Sequence, residues 1–198
     1  MNEDENIPEI PGVDPTETQI TPFQEIIINE IPLGSIIDIG AGGEGVIAQV
    51  GGERVTAIDK LQSEIDEAKD KAPNAKWMVA DATELPFENE EFDNATSFFS
   101  GMYMSHEDKK KIIEEIHRVI SPGGELWIWD SKIDTDKDQF IITLTISLPD
   151  KEKFNTGYGT RITKQDEGIY EEYLKEAGFI IEEREVNKYW FFIKAKKI

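Results

Sequence analysis

Apolar residues recur along most of the chain at two spacings, and the changes of spacing mark its elements. Ile36-Ile37-Asp38-Ile39 is a short apolar run ending in glycines, which predicts a strand. Gly43–Val50 reads as a helix and Arg54–Ile58 as a second strand. Leu61, Ile65, Ala68 and Ala72 fall at helical spacing until Pro73 closes the segment. Lys76–Ala80 and Phe92–Phe99 predict the third and fourth strands. Ser105, with Asp108 three residues on, predicts the cap of a helix whose buried face is Ile112, Ile113, Ile116, Val119 and Ile120. Ser121-Pro122-Gly123-Gly124 then turns the chain into a fifth strand, Glu125–Asp130. Strands separated by helices in this way predict right-handed crossovers and a largely parallel sheet.

Beyond Asp130 the spacing changes. Ile142, Leu144, Ile146 and Leu148 alternate with Thr143, Thr145 and Ser147, and Phe154, Thr156, Tyr158 and Thr160 resume the alternation after a turn. This predicts a β-hairpin inserted over residues 139–162. Thr163 is the expected cap of a helix holding Ile169, Tyr173, Leu174 and Ala177 and ended by Gly178. Phe179–Val186 and Tyr189–Ala195, joined by a tight turn, predict two antiparallel strands. At the other end, Thr21-Pro22 resembles a helix start, with Phe23, Ile26, Ile27 and Ile31 continuing to Pro32. Residues 1–20 are acidic, contain Pro8, Pro11 and Pro15, and have no periodic face, so they are expected to form a flexible arm. Residues 21–198 then make one domain.

Composition narrows the function classes. No apolar run approaches the roughly 20 residues of a membrane span, so no membrane partner is expected and the cytoplasm is the default location. The chain has no cysteine, which removes disulfides, cysteine-ligated metals and thiol nucleophiles. Its formal net charge of −20 opposes nucleic acid, whose binding depends on neutralising phosphates; the lysines at 109–111 and 194–197 do not offset it.

The strongest candidate site begins at Asp38-Ile39-Gly40-Ala41-Gly42-Gly43-Glu44-Gly45, where a strand must turn sharply into a helix. Gly40-x-Gly42-x-x-Gly45 satisfies the dinucleotide fingerprint, with Asp59 near the spacing of a ribose-binding acid. The same loop suits an adenosyl sulfonium. Asp38 lies just before the glycines, Asp81-Ala82 follows the third strand and Phe98-Phe99-Ser100 the fourth, and carboxylates at that sheet edge favour a cationic ligand over a diphosphate.

At this point the chain resembles the class I S-adenosylmethionine-dependent methyltransferase family, methyltransferase type 11-like, over roughly Ser35–Asp130. The resemblance rests on Ile37–Gly42, on Ala57-Ile58-Asp59, on Ala80–Phe87, on Phe92-Asp93 and on Glu115–Gly124. It implies an α/β, Rossmann-like three-layer sandwich with a mostly parallel seven-stranded sheet, an antiparallel last strand and the inserted hairpin. It implies S-adenosyl-L-methionine as cofactor and roles position by position. Asp38 would orient the loop and approach the methionine amino group, with Gly40, Ala41 and Gly42 around the cofactor. Asp59 would accept from the ribose hydroxyls, with Lys60 and Leu61 lining the adenosine. Asp81 and Ala82 would hold the adenine, and Ser100 would face the methionine end. The family's third loop glycine falls at Glu44 here, a departure from its pattern.

Methyl transfer from a sulfonium is an in-line displacement, so alignment is the main requirement and a base is needed only for a protonated acceptor. His106, Tyr103 and Tyr158 are the candidates for that base. Asp93 and His117 read better as a turn residue and a structural helix residue, and Tyr189–Phe192 as sheet core. The segment Ser97–Tyr103 lacks the Asn/Asp-Pro-Pro-aromatic sequence of many nucleic acid amine methyltransferases. With the charge, this favours a small-molecule acceptor. The hairpin is expected to border the acceptor pocket or to form a homodimer contact. A silent cofactor-binding module and a nicotinamide-dependent oxidoreductase are the alternatives.

Overall fold

The computed structural model describes residues 7–198. In chain order the elements are β1 (Thr18–Ile20), β2 (Gln24–Ile27), β3 (Ile36–Ile39), α1 (Val46–Gly51), β4 (Val55–Asp59), α2 (Gln62–Ala68), β5 (Lys76–Val79), β6 (Asn94–Phe98), α3 (His106–Val119) and β7 (Glu125–Ser131). They continue as β8 (Ile133–Asp134), β9 (Gln139–Ser147), β10 (Phe154–Thr160), β11 (Lys164–Gln165), α4 (Glu167–Ala177), β12 (Phe179–Val186) and β13 (Trp190–Lys197).

The main sheet has seven strands in the order β12-β13-β7-β6-β3-β4-β5. The strands from β7 to β5 pair in parallel, and β13 runs antiparallel to both its neighbours. This is the expected α/β architecture with an antiparallel last strand. Strand order reverses between β3 and β6, so the carboxyl ends of β3, β4, β5 and β6 diverge around a crevice.

Alternation along each strand sends side chains to two different covers. Ile37, Ile39, Ile58, Leu126 and Ile128 face the helical layer, where Ile112, Ile113 and Ile116 of α3 meet Tyr170 and Leu174 of α4. Ile36, Val55, Ala57, Trp127 and Trp129 face α1 and a second sheet that contributes Phe140, Ile142, Leu144 and Ile146. Both helices are capped as their sequences require. Ser105 accepts from the Asp108 amide at α3, and Asp166 accepts from the Ile169 amide at α4. The cap at α4 is therefore Asp166 and not Thr163.

The second sheet corrects the reading of the amino-terminal region. The segment read as a helix from Thr21 contains β2, which pairs in parallel with Leu144–Ser147 of β9. β1 pairs in parallel with Gln139–Ile141 of the same strand, so residues 18–20 are not part of a loose arm. Residues 1–6 of that arm lie outside the described residues. Thr21 sits between β1 and β2, where its Oγ1 accepts the Thr143 amide at 3.0 Å and its carbonyl accepts Thr143 Oγ1 at 2.8 Å. The proline that follows disfavours helical geometry at Thr21 and helps hold it extended. β10 completes the sheet, pairing antiparallel with β9 over Phe154–Thr160.

Candidate functional site

A cleft of about 550 Å³ lies over the carboxyl ends of the parallel strands. That volume is in the range of sites that enclose cofactor-sized ligands. The turn leaving β3 forms one wall. Gly40 and Gly42 take positive φ, +64° and +59°, which glycine reaches without the clash a side chain would meet. A Cβ on Gly40 would lie 2.6 Å from Ser100 Cβ, whereas one on Gly42 would enter nearly open space. Backbone can thus approach a ligand closely at Gly42. The departure from the glycine pattern is accommodated here: Gly45 is left-handed against the Trp77 ring, and Glu44 pairs with Lys71 at 3.1 Å.

Asp59, at the end of β4, ties two walls of the cleft together. Its Oδ2 accepts the Gly42 amide at 3.0 Å and its Oδ1 accepts the Leu61 amide at 2.9 Å. A carboxylate has about four lone-pair sites, so each oxygen can still accept a hydrogen bond from a ligand hydroxyl. Asp81, beyond β5, accepts from Lys60 Nζ at 2.8 Å and from the Thr83 amide and hydroxyl at 3.0 and 2.7 Å. The Lys60 bond first, and then the Thr83 bonds, hold its carboxyl well below the usual range. The Lys60–Asp81 pair is exposed and contributes little to stability.

The cleft also has an apolar wall. Phe98, Phe99, Tyr103, Met104 and Tyr158 line it. Phe99 takes φ +49°, uncommon for a side chain of its bulk, and its amide donates to the Trp129 carbonyl at 2.7 Å. Tyr158, on β10, stacks on the Phe99 ring at 5.8 Å, and Thr160 Oγ1 donates to the Met102 carbonyl at 2.7 Å. The hairpin therefore borders the cleft directly.

Of the residues expected in the site, Gly40, Ala41, Gly42, Asp59, Lys60, Leu61, Asp81, Ala82 and Ser100 all line the cleft, as do Tyr103 and Tyr158. Asp38 does not. It is buried beneath the loop, accepting from Thr96 Oγ1 at 2.8 Å, and burial pushes its carboxyl up to about 7. His106 is also outside the cleft, exposed on α3 with Nδ1 3.2 Å from the Tyr173 hydroxyl. Burial pushes the Tyr103 phenol up to about 12 and the Tyr158 phenol higher. Both stay protonated at neutral pH, so each can orient an acceptor by hydrogen bonding. Glu64, Asp108 and Ile112 were missed as lining residues. Asp108 and Ile112 stand one helical turn apart at the start of α3, a spacing visible in the sequence without an indication that it faced the cleft.

An open α/β sheet with a ligand-sized cleft at its switch point, a glycine turn on one side and a carboxylate bridging to the next strand defines the nucleotide-binding class of α/β fold. Residues 37–128 match the methyltransferase domain family. That match covers a little under half of the chain, and over it the chain is similar to methyltransferase domains. It is 32% identical to a sterol 4-C-methyltransferase of Caenorhabditis elegans over 52% of this chain and 33% of that protein. It is 32% identical to a chloroplastic tocopherol O-methyltransferase of Arabidopsis thaliana over 50% of this chain and 30% of that one. A ubiquinone/menaquinone biosynthesis C-methyltransferase of Paracoccus denitrificans is 27% identical over 61% of this chain and 62% of its own length. The chain thus spans less than two thirds of each of these relatives. Among solved structures, a Methanosarcina mazei S-adenosylmethionine-dependent methyltransferase superposes with TM-score 0.62 at 20% identity, covering 83% of this chain and 92% of that one. A [4+2]-cyclase superposes equally well, TM-score 0.62 at 18% identity over 83% and 75% of the two chains. These structures are alike in fold.

The site's chemistry fits an adenosyl sulfonium. Asp59 has acceptor capacity left for a diol, Gly42 leaves room against the backbone, and the lining carboxylates suit a cation.

Proposed function

We propose that the protein binds S-adenosyl-L-methionine in this cleft and transfers its methyl group to a small organic acceptor. The observation that carries the reading is Asp59, whose two carboxylate oxygens bridge the glycine turn and the Leu61 amide while facing the cleft. When bound, the cofactor supplies an electrophilic methyl with an excellent leaving group. The chain supplies position. Gly40, Ala41 and Gly42 would border the methionine part, Asp59 would accept from the ribose, and Lys60, Leu61, Asp81 and Ala82 would surround the adenine. Ser100 would mark the boundary between cofactor and acceptor.

The acceptor would occupy the apolar part of the cleft, between Met104, Tyr103 and Tyr158, where the phenol hydroxyls can fix its orientation. Alignment of this kind can supply roughly 7–11 kcal/mol of the barrier. The names of the relatives, a sterol 4-C-methyltransferase, a tocopherol O-methyltransferase and a ubiquinone/menaquinone biosynthesis C-methyltransferase, agree with a small, largely apolar acceptor. A cytoplasmic location and a homodimer through the 139–162 hairpin belong to the same reading. The hairpin's outer strand, β10, is an edge of its sheet, where a second copy could pair.

Isothermal calorimetry with S-adenosylhomocysteine and with NAD tests the cofactor, and transfer of a labelled methyl group to a panel of phenols, quinols and amines tests the reaction. Binding of NAD in preference to S-adenosylhomocysteine would overturn the reading. A second reading, a cofactor-binding protein without methyl transfer, is favoured by one finding: a [4+2]-cyclase shares this fold to the same degree as a methyltransferase does. Tight S-adenosylhomocysteine binding with no transfer to any acceptor would select it.

A further inference from the structure

The glycine turn that borders the cleft is gripped from outside it by a lysine. Lys71 stands just beyond α2 and does not line the cleft. Its Nζ donates to the Gly43 carbonyl at 2.8 Å, to Glu44 Oε2 at 3.1 Å and to Glu67 Oε1 at 3.2 Å. An ammonium has three protons to donate, so its donors are all engaged, and two of the acceptors are consecutive residues of the turn. Burial works against the Lys71 ammonium, but its hydrogen bonds to Glu44 and Glu67 outweigh it and hold the group above the usual lysine range. Lys71 is therefore charged at any pH at which the protein would work.

The turn needs such a grip. A segment built from Gly40, Gly42, Gly43 and Gly45 has many backbone conformations open to it. On the cleft side the Gly42 amide is tied to Asp59. Beyond Gly42 the carbonyls of Gly43 and Glu44 are tied to Lys71 and to Gln49 Nε2, the latter at 2.8 Å. A peptide group is planar, so fixing these carbonyls fixes two whole peptide planes of the turn. Charge acts in the same direction. Glu44 and Glu67 share Lys71, and Glu64 Oε2 lies 3.1 Å from where a Cβ on Gly43 would stand. Without Lys71, Glu44 and Glu67 would be neighbouring like charges, and repulsion would drive the turn away from α2.

We propose that Lys71 is a positioning residue for the amino-acid end of the cofactor: it holds the Gly43–Glu44 segment in the form in which the turn packs against that end. The inference rests on the S-adenosylmethionine reading of the cleft and extends it to a residue outside the cleft. It gives the departure from the glycine pattern a purpose. The side chain at Glu44 is the handle by which Lys71 holds the turn, where a glycine would offer none. The adenosine end, bordered by Lys60, Leu61, Asp81 and Ala82, lies on other segments and does not depend on this grip.

The test is calorimetry on the full chain with S-adenosylhomocysteine and with methylthioadenosine, which lacks the amino-acid end. Lys71 is 33% exposed, so Lys71→Met keeps the apolar stem and removes the charge without opening the core. It is expected to weaken S-adenosylhomocysteine about five- to tenfold, the equivalent of about 1–1.4 kcal/mol, and methylthioadenosine less than about twofold. Glu67→Gln, which leaves both contacts of Lys71 to the turn, is expected to bind both ligands as wild type does. If Lys71→Met does not fold, Glu44→Ala removes the handle instead, with a loss of at least about threefold expected for S-adenosylhomocysteine alone. Equal weakening of both ligands would mean a general loosening of the cleft, and unchanged S-adenosylhomocysteine binding would mean that Lys71 serves stability only. Either result would overturn the proposal while leaving the cofactor reading in place. A wild-type chain that binds no S-adenosylhomocysteine would overturn both.

Discussion

The two faces of the main sheet are covered by different kinds of structure, and their buried carboxylates are treated differently too. One face carries α3 and α4, and its strand-end acid, Asp130, accepts from Tyr170, Gln165 and the Ser131 amide. The other carries α1 and the second sheet, and its strand-end acid, Asp38, has Thr96 Oγ1 as its side-chain donor. The helical face holds its acid in a network of three donors, although burial still pushes the Asp130 carboxyl above its usual range. The sheet-covered face gives Asp38 a single side-chain donor, with its carboxyl pushed up to about 7 by burial beneath the glycine turn.

The largest effect that would sharpen this contrast comes from the centre of the second sheet. Phe140 of β9 is fully buried, and Phe140→Ala is expected to cost about 3–5 kcal/mol in urea unfolding. A loss below about 1 kcal/mol would mean that the second sheet is only loosely applied to the core.

Asp38 gives a prediction of similar size with a pH signature. Its carboxyl ionises at about 7 when folded, against the ordinary value near 3.9 when unfolded. The folded chain then binds more protons between those values, so this group's contribution to stability falls as pH rises through the interval and is constant above it. The arithmetic gives roughly 4 kcal/mol as an upper bound. Asp38→Asn should therefore gain stability relative to wild type at pH 8 and show little gain at pH 4. Equal gain at both would place the charge elsewhere.

The strand assignment of β2 is tested next. Ile26 and Ile28 are each 1% exposed whereas Ile27 is 55% exposed. Ile26→Ala and Ile28→Ala are each expected to cost about 2–4 kcal/mol, and Ile27→Ala under about 0.5 kcal/mol. A helix at this position would not give that alternation. A smaller loss than that of Ile26 or Ile28 is expected on the helical face: Tyr170→Phe, which deletes one buried donor to Asp130, should cost about 1–3 kcal/mol.

The same contrast explains what the sequence made legible. On the helical face, Ile112, Ile113, Ile116, Val119 and Ile120 repeat at 3.6-residue spacing between a Ser105 cap and a proline-glycine turn, so period and boundaries agree. The parallel strands were equally clear, because β3, β4 and β5 each run into a glycine or an aspartate at the cleft and β6 into Phe99-Ser100. The second sheet was only half visible. Its hairpin alternates strictly, but Glu25-Ile26-Ile27-Ile28-Asn29-Glu30-Ile31 is too short and too uniformly apolar to distinguish the two periods, and its pairing partner lies more than a hundred residues away. In the site, the residues fixed by backbone turns were readable: Gly40, Gly42, Asp59 and Asp81. Glu64, Asp108 and Ile112 enter from helix faces whose orientation depends on packing, and nothing local announces that. Asp38 was legible as a strand-end acid but not as one turned beneath the loop, since that depends on which face of β3 the second sheet covers.

The central claim is that the cleft over β3, β4 and β5 is an S-adenosylmethionine site centred on Asp59. Calorimetric titration of the wild-type chain and of Asp59→Ala with S-adenosylhomocysteine, each with its circular dichroism recorded, tests it most directly. The account predicts one site on the wild type and at least about a tenfold weaker one on the folded variant, the equivalent of about 1.4 kcal/mol. A wild-type chain that gives no binding heat at any temperature tried, or a folded variant that binds as tightly as wild type, would contradict it.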